Sequence, residues 1–254
     1  MKLDLKSRLD AQGVVVGTFI QDIRSPFVIQ LAAAARLDFV IIDTEHGALN
    51  TETVSDLIKM ARALGVIPIV RVIAPTYEHM CPRLDAGAKG LVLPRISGPE
   101  AVREALRATR YPPEGIRGMV TLKGQTDYVA PDFRAHLAEQ NRTTSIIPQI
   151  ELVAALENLD GILAVEGVDV VLVGPCDLSV ALGQPGELSH PEQVRQIERV
   201  VEACKRHQVA PGIAVGSPAS AREWIDKGMR FICCGGDAFI LRTGFGEIGK
   251  LRAE

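Results

Sequence analysis

No stretch of the sequence approaches the roughly 18 to 20 uninterrupted apolar residues that a membrane-spanning helix needs, so no membrane span is expected. Positions 1–10 alternate charge with leucine and lack the apolar core of a signal peptide, which argues against secretion. An excess of charge of one sign is missing too. The chain has 28 Lys and Arg against 31 Asp and Glu, a formal charge of −3, and the basic residues are spread along it. Such a pattern offers no footprint for nucleic acid, and small molecules are the expected partners. The five cysteines form no Cys-x-x-Cys pair, and the adjacent pair Cys233 and Cys234 is poorly placed to bridge within a strand. A reducing cytoplasm is the expected compartment. Low-complexity tracts and linkers are also absent, and 254 residues with 47% apolar content suffice for one substantial core. One domain over 1–254 is expected.

What the chain does contain is a rhythm. Eight short apolar runs, at 14–20, 39–42, 67–72, 90–93, 146–150, 168–173, 210–215 and 231–233, are rich in Val and Ile and show no polar alternation. Strands buried on both faces of a parallel sheet read this way. Helical patterns with apolar residues at i, i+3 and i+4 lie between them, at 51–64, 101–109, 191–207 and 219–227. Gly65, Gly87, Gly167 and Gly228 stand just before runs three, four, six and eight, where a helix ends on a left-handed residue. Eight βα units in about 250 residues match the size of a closed (β/α)8 TIM barrel, although an open doubly wound sheet has the same periodicity. Positions 111–144, with Tyr111-Pro112-Pro113 and then a polar helical stretch, read as a long excursion over the barrel mouth.

In such barrels reactive groups come from the C-terminal ends of the strands. Here run two leads into Asp43-Thr44-Glu45-His46-Gly47, run three into Arg71, run five into Gln149-Ile150-Glu151 and run six into Gly174-Pro175-Cys176-Asp177. Any single carboxylate among these is equally well explained as the cap of the next helix. Two carboxylates, a histidine and an arginine aimed into one mouth are costly to crowd together unless something uses them. Hard divalent ions take one or two protein carboxylates and leave positions for substrate, and a bidentate 2-oxo acid fits those positions. The ion would stabilise the enolate, with Arg71 at the carbonyl or enolate oxygen. A Schiff-base alternative needs a lysine at a strand end, but Lys59, Lys89 and Lys227 fall in helices or before strands and Lys123 in the excursion.

Six motifs taken in order, Asp-Thr-Glu-His-Gly (43–47), Val-Arg (70–71), Leu-Asp-Ala-Gly-Ala (84–88), Tyr-Pro-Pro (111–113), Gln-Ile-Glu (149–151) and Gly-Pro-Cys-Asp-Leu-Ser (174–179), resemble the HpcH/HpaI aldolase family. The resemblance implies a (β/α)8 barrel of the phosphoenolpyruvate/pyruvate type and a class II pyruvate aldolase: reversible retro-aldol cleavage of a 4-hydroxy-2-oxo acid to pyruvate and an aldehyde. It also implies a divalent metal (Mg²⁺, Mn²⁺ or Co²⁺) on Glu151 and Asp177, Arg71 as the oxyanion-binding arginine and His46 as the catalytic histidine. Gln149 is implied near the substrate, the amides of Cys176 and Asp177 at its carboxylate, and Asp85 as the partner of His46 across a subunit boundary. The implied assembly is a hexamer, a trimer of dimers with exchanged terminal helices.

Two departures from the family pattern stand out: Cys176 replaces a usual alanine and Leu152 a usual polar residue. The thiol is either a small packed group or a reactive one. The segment Met119 to Lys123 also departs, and it bears on the choice of aldehyde; Arg95, Arg117 and Lys123 are candidates for a distal carboxylate. Asp43 and Glu45 are expected to support the site from behind. His79, His136, His190 and His207 read as surface or packing, and Gly235-Gly236-Asp237 as a tight turn rather than a phosphate cradle. The competing functions are an acyl-CoA or citrate lyase-type enzyme on the same metal-enolate apparatus and a non-catalytic barrel. Few basic residues for CoA, and the presence of all four polar groups, count against them.

Overall fold

In the computed structural model, which describes residues 3–252, every apolar run becomes a strand. In chain order these are β1 (Val15–Ile20), β2 (Phe39–Asp43), β3 (Ile67–Arg71), β4 (Gly90–Leu93), β5 (Ser145–Ile150), β6 (Val170–Val173), β7 (Ala210–Val215) and β8 (Phe231–Gly236). Each pairs in parallel with its sequence neighbours, and β8 returns to β1. The sheet is closed, so the architecture is the (β/α)8 barrel and not the open alternative.

Helices fill the crossovers: α1 (Leu5–Gln12), α2 (Phe27–Ala34), α3 (Thr51–Ala63), α4 (Tyr77–Asp85), α5 (Pro99–Thr109), α6 (Phe133–Thr143), α7 (Val153–Glu157), α8 (Leu159–Leu163), α9 (Pro175–Ala181), α10 (Pro191–His207), α11 (Pro218–Asp226) and α12 (Asp237–Gly249). Their starts follow capping chemistry. Asn50 accepts the Thr53 N–H at 2.8 Å above α3, and prolines occupy the first turns of α5, α9, α10 and α11. The glycines that end helices before strands carry the left-handed backbone expected of them, as at Gly87 (φ 109°) and Gly228 (φ 102°).

The continuous apolar runs hide an alternation that the barrel resolves. Phe39, Ile41, Ile67, Ile69, Ile147, Leu172 and Phe231 fill the lumen, while Val40, Ile42, Val70, Ile146, Val171 and Ile232 face the helices. Phe39 and Phe231 stack with ring centroids 4.3 Å apart. Room for them comes from Gly17 and Gly212: a Cβ on Gly17 would sit 2.3 Å from the Phe39 carbonyl oxygen, and one on Gly212 would sit 2.6 Å from the Phe231 ring. Helix α1 closes the floor. Leu5 and Leu9 join the lumen cluster, and Arg230 donates to the Gly13 and Leu9 carbonyls at 2.8 and 2.9 Å.

The excursion at 111–144 lies elsewhere than expected. It follows a helix rather than a strand, so it leaves and re-enters at the face where strands begin, its ends joined by Asn141 to the Tyr111 N–H and carbonyl at 2.7 and 3.0 Å. Arg62 at the end of α3 binds Asp127, the Gly124 backbone lies against Ala86 just past α4, and the Tyr77 hydroxyl accepts the Gly118 N–H at 2.9 Å. The segment is thus laid along the outside of α4 and does not cover this chain's own mouth.

Candidate active site

The lumen alternation carries straight into the site. Asp43 is the next lumen position after Phe39 and Ile41, Arg71 the next after Ile67 and Ile69, and Gln149 and then Glu151 follow Ile147. Asp43 and Arg71 are register partners on neighbouring strands, so their side chains lie side by side. Arg71 grips the Asp43 carboxylate with both arms, Nε to Oδ1 at 2.9 Å and Nη2 to Oδ2 at 2.6 Å, and both groups are buried. Gln21 Nε2 donates to the same carboxylate at 2.8 Å, as does the Glu45 N–H at 3.0 Å. Burial alone would raise the Asp43 pKa, but the bonds and charge of Arg71 outweigh it and hold the carboxyl below its ordinary range. On its other side the Arg71 guanidinium lies 4.8 Å over the Phe19 ring, with Nη1 3.3 Å from Glu45. Arg71 is a rigid planar cation at the end of the lumen.

Glu151 is 1% exposed. Its Oε1 accepts the Arg95 N–H at 2.6 Å and its Oε2 accepts the Gln149 side-chain amide. Burial pushes its pKa above the ordinary glutamate value; the Arg95 N–H and Gln149 pull it back, and the nearby charge of Asp177 raises it further. Asp177 sits in the first turn of α9, half-buried, next to the exposed Cys176. Among the described residues no group of three or more His, Cys, Asp or Glu side chains is placed to share a metal. A divalent ion fits the pair nonetheless. The charge of Asp177 is felt at Glu151, the Gln149 side-chain carbonyl oxygen has no partner among the described residues, and a Cβ on Gly174 would stand 2.9 Å from both Glu151 Oε2 and Gln149 Nε2, so only glycine leaves space there.

A cavity of about 580 Å³ opens over this floor, with Arg71, Gln149, His46 and Asp177 in its wall, and runs outward past Ala214 and Val215 to Trp224. His46 is 58% exposed, its Nε2 3.8 Å from Glu45. Glu45 itself is pushed to a higher pKa by burial, against the pull of Arg71. Asp85 is not with them. It ends α4 on the strand-start side of the barrel and accepts Arg117 Nη2 at 2.7 Å, so within one chain it cannot orient His46.

Other expectations resolve similarly. Asp237 takes the backbone N–H groups of Gln21, Asp22 and Ile23 at 3.1, 3.0 and 2.8 Å, so the β8 turn is tied by a carboxylate and is no phosphate cradle. Arg95, a candidate for a distal carboxylate, engages the site through its backbone. Lys89, brought down to a pKa of about 8 by burial and by Arg62, precedes β4 and sits at the barrel floor, far from any Schiff-base chemistry at the mouth. Gln21 escaped the sequence reading, though it follows an apolar run as Arg71 does, and Asp237 was read there only as part of a tight turn.

A closed barrel whose mouth combines a buried glutamate with a half-buried aspartate, a clamped arginine and an exposed histidine has the construction of an enolate-forming lyase. A family model described as HpcH/HpaI aldolase/citrate lyase matches residues 17–243. The 5-keto-4-deoxy-D-glucarate aldolase of Klebsiella pneumoniae is 33% identical over 241 residues, covering 94% of this chain and 92% of that protein. The crystal structure of an HpcH/HpaI aldolase from Desulfitobacterium hafniense DCB-2 superposes with a TM-score of 0.95 at 34% identity, over 100% of this chain and 98% of that one. Citrate synthase SbnG superposes at 0.88 with 30% identity, over 99% and 98%. The chain belongs to the HpcH/HpaI aldolase/citrate lyase family, and it is an aldolase of that family.

Proposed function

We propose that the chain cleaves a 4-hydroxy-2-oxo acid to pyruvate and an aldehyde, and joins them in reverse, with a divalent ion held by Glu151 and Asp177. The observation that carries this reading is the buried Glu151 carboxylate, within reach of the charge of Asp177 and open toward the bare Gly174 backbone, beside an arginine already neutralised by Asp43. Arg71 is thereby committed elsewhere and does not neutralise the pair, whereas a cation such as Mg²⁺, Mn²⁺ or Co²⁺ does. The ion supplies Lewis acidity toward the 2-oxo acid.

The remaining work falls to the chain's own groups. Arg71, with Nη1 turned away from the bidentate grip, donates to the oxygen on which charge builds as C3–C4 breaks. The amides of Cys176 and Asp177, in the first turn of α9, donate to the substrate carboxylate. Gln149 fixes Glu151 with its amide and keeps its own carbonyl oxygen for a donor in the cavity. His46, exposed at the mouth, takes the proton of the C4 hydroxyl. Its orienter is Asp85 of a second copy, which rests on two facts: among the described residues His46 has no carboxylate nearer than Glu45, and large apolar surface is left on the excursion (Met119, Leu122, Val129) and on α12 (Phe245, Ile248). A hexamer is the assembly we propose, in a cytoplasmic enzyme. For the acid, 5-keto-4-deoxy-D-glucarate is the first substrate to try, which makes tartronate semialdehyde the aldehyde.

The test is pyruvate release from 5-keto-4-deoxy-D-glucarate and other 4-hydroxy-2-oxo acids before and after chelation. Activity should vanish with EDTA and return with Mg²⁺ or Mn²⁺. Full rate in EDTA, with an imine trapped by borohydride, rejects the mechanism.

A further inference from the structure

The turn that leaves β4 is built around an unfavourable backbone. Arg95 has φ +56°, a left-handed conformation that a residue with a side chain adopts at a cost, and the turn is anchored around it: Leu93, two positions before, is fully buried and Ile96, next after it, is 1% exposed, both in the shell between strands and helices. Its guanidinium, among the described residues, makes no ion pair and no hydrogen bond, and lies exposed. The side chain therefore gains nothing from the strain. What the conformation does provide is an amide N–H pointing at Glu151 Oε1, at 2.6 Å, across the gap from β4 to β5. Among the described residues Glu151 is otherwise held only by the Gln149 amide on its second oxygen, with the bare Gly174 backbone behind it. Without the Arg95 N–H, one oxygen of a nearly inaccessible carboxylate would have no donor, and the group would be free to turn about its last bond.

We infer that the backbone of Arg95, and not its side chain, is the positioning element for Glu151: the left-handed turn after β4 exists to deliver one N–H that fixes the orientation of this carboxylate toward the divalent ion. The inference rests on Glu151 being a metal ligand. Its strength lies in the direction of the strain, which is spent on a residue whose side chain has no partner and whose amide has one that is buried and charged.

Three forms of position 95 separate the backbone from the side chain. Arg95→Ala and Arg95→Gly keep the N–H and should bind Mn²⁺ within about twofold of the wild type, read as the loss of the free-ion signal in electron paramagnetic resonance titrations. Replacing residue 95 by an α-hydroxy acid turns that one amide into an ester, and should weaken Mn²⁺ by about tenfold or more, the usual effect of losing a group that orients a ligand. An ester form that binds Mn²⁺ as the alanine form does overturns the inference, as does a tenfold loss in Arg95→Ala.

Because the ester form can fail to fold, hydrogen exchange of the metal-free protein provides a second reading. Slow exchange in the peptide covering 93–97 should persist in Glu151→Gln, which keeps an acceptor oxygen, and be lost in Glu151→Ala. Unchanged exchange in Glu151→Ala shows that the amide is not held by the carboxylate and overturns the inference. A wild type that binds no Mn²⁺ at all removes the metal reading of Glu151 and Asp177, and this inference with it, whatever the exchange shows.

Discussion

Replacing Glu151 by Gln removes a buried charge but keeps an acceptor for Arg95 and a group for Gln149 to meet. Activity should fall by at least about a thousandfold, as expected when one of the two carboxylates proposed to hold the ion is lost and with it several kcal/mol of charge stabilisation. Without metal, stability should move the other way, up by on the order of 1 kcal/mol, or roughly 2–4 °C in Tm for a chain of this length. The pH dependence follows the same sign. Glu151 and Glu45 have pKa values raised by burial, so between the ordinary glutamate value and the raised one the folded chain holds more protons than the unfolded. Their stabilising effect is fully present below the ordinary value and disappears as pH rises through the raised one. Melting curves of the metal-free protein from mildly acidic to neutral pH should therefore fall, and Glu151→Gln should flatten that slope. Arg71→Lys keeps the charge but loses the two-armed grip on Asp43. We expect about a hundredfold loss of kcat with the barrel intact by circular dichroism. A near-normal kcat would mean that a point charge suffices there. At this scale the sequence already displayed Asp43 and Arg71 as strand-end residues. Their partnership was invisible because it depends on the β2–β3 register, which places them side by side across 28 positions of chain.

Among the elements, strands were easier to see than helices, for a reason of burial. A strand covered on both faces must be apolar throughout, so 67–72 or 210–215 stands out from its surroundings. Helix α4 has Pro82 inside it, and α7 and α8 are two short pieces meeting at Asn158, so neither presents a long periodic stripe. Helix α1 reads as charge alternating with leucine because only Leu5, Arg8 and Leu9 are buried, beneath the barrel. The continuous runs concealed the lumen alternation as well, and with it the crowding that makes Gly17 necessary. Gly17→Ala sets a methyl group against the carbonyl of its own register partner, Phe39, a contact that no side-chain rotation relieves. Urea unfolding should show a loss of about 3 kcal/mol, at the upper end for overpacked cores. Leu9→Ala should cost a similar 2–4 kcal/mol by opening the floor. A change below 0.5 kcal/mol for Gly17→Ala would mean that β1 can slide outward.

For the whole molecule, two elements carry several exposed apolar residues each. Along α12 Phe239, Ile240, Leu241, Phe245 and Ile248 are all exposed, and Leu251 beyond its end is 82% exposed. Ile116, Met119, Leu122, Tyr128 and Val129 are exposed on the excursion. Surfaces of this kind mark interaction sites, and the hexamer proposed above would cover them. The excursion also carries Arg117, whose grip on Asp85 leaves that carboxylate partly open beside the same apolar surface. If two copies meet there so that Asp85 of one faces His46 of the other, the site is completed between chains, and complementation will reveal it. His46→Ala and Asp85→Ala should each be nearly inactive as pure preparations. When unfolded together in equal amounts and refolded, half the chains retain His46 and half of their neighbours retain Asp85, so about a quarter of the sites are whole and about a quarter of the wild-type rate should return. A site complete within one chain gives no recovery, because every chain lacks one of the two groups. Size-exclusion chromatography with light scattering must show the mixture assembled as the wild type is. With that condition met, a mixture as inactive as its parents assigns Asp85 to holding Arg117 and leaves His46 to act without it.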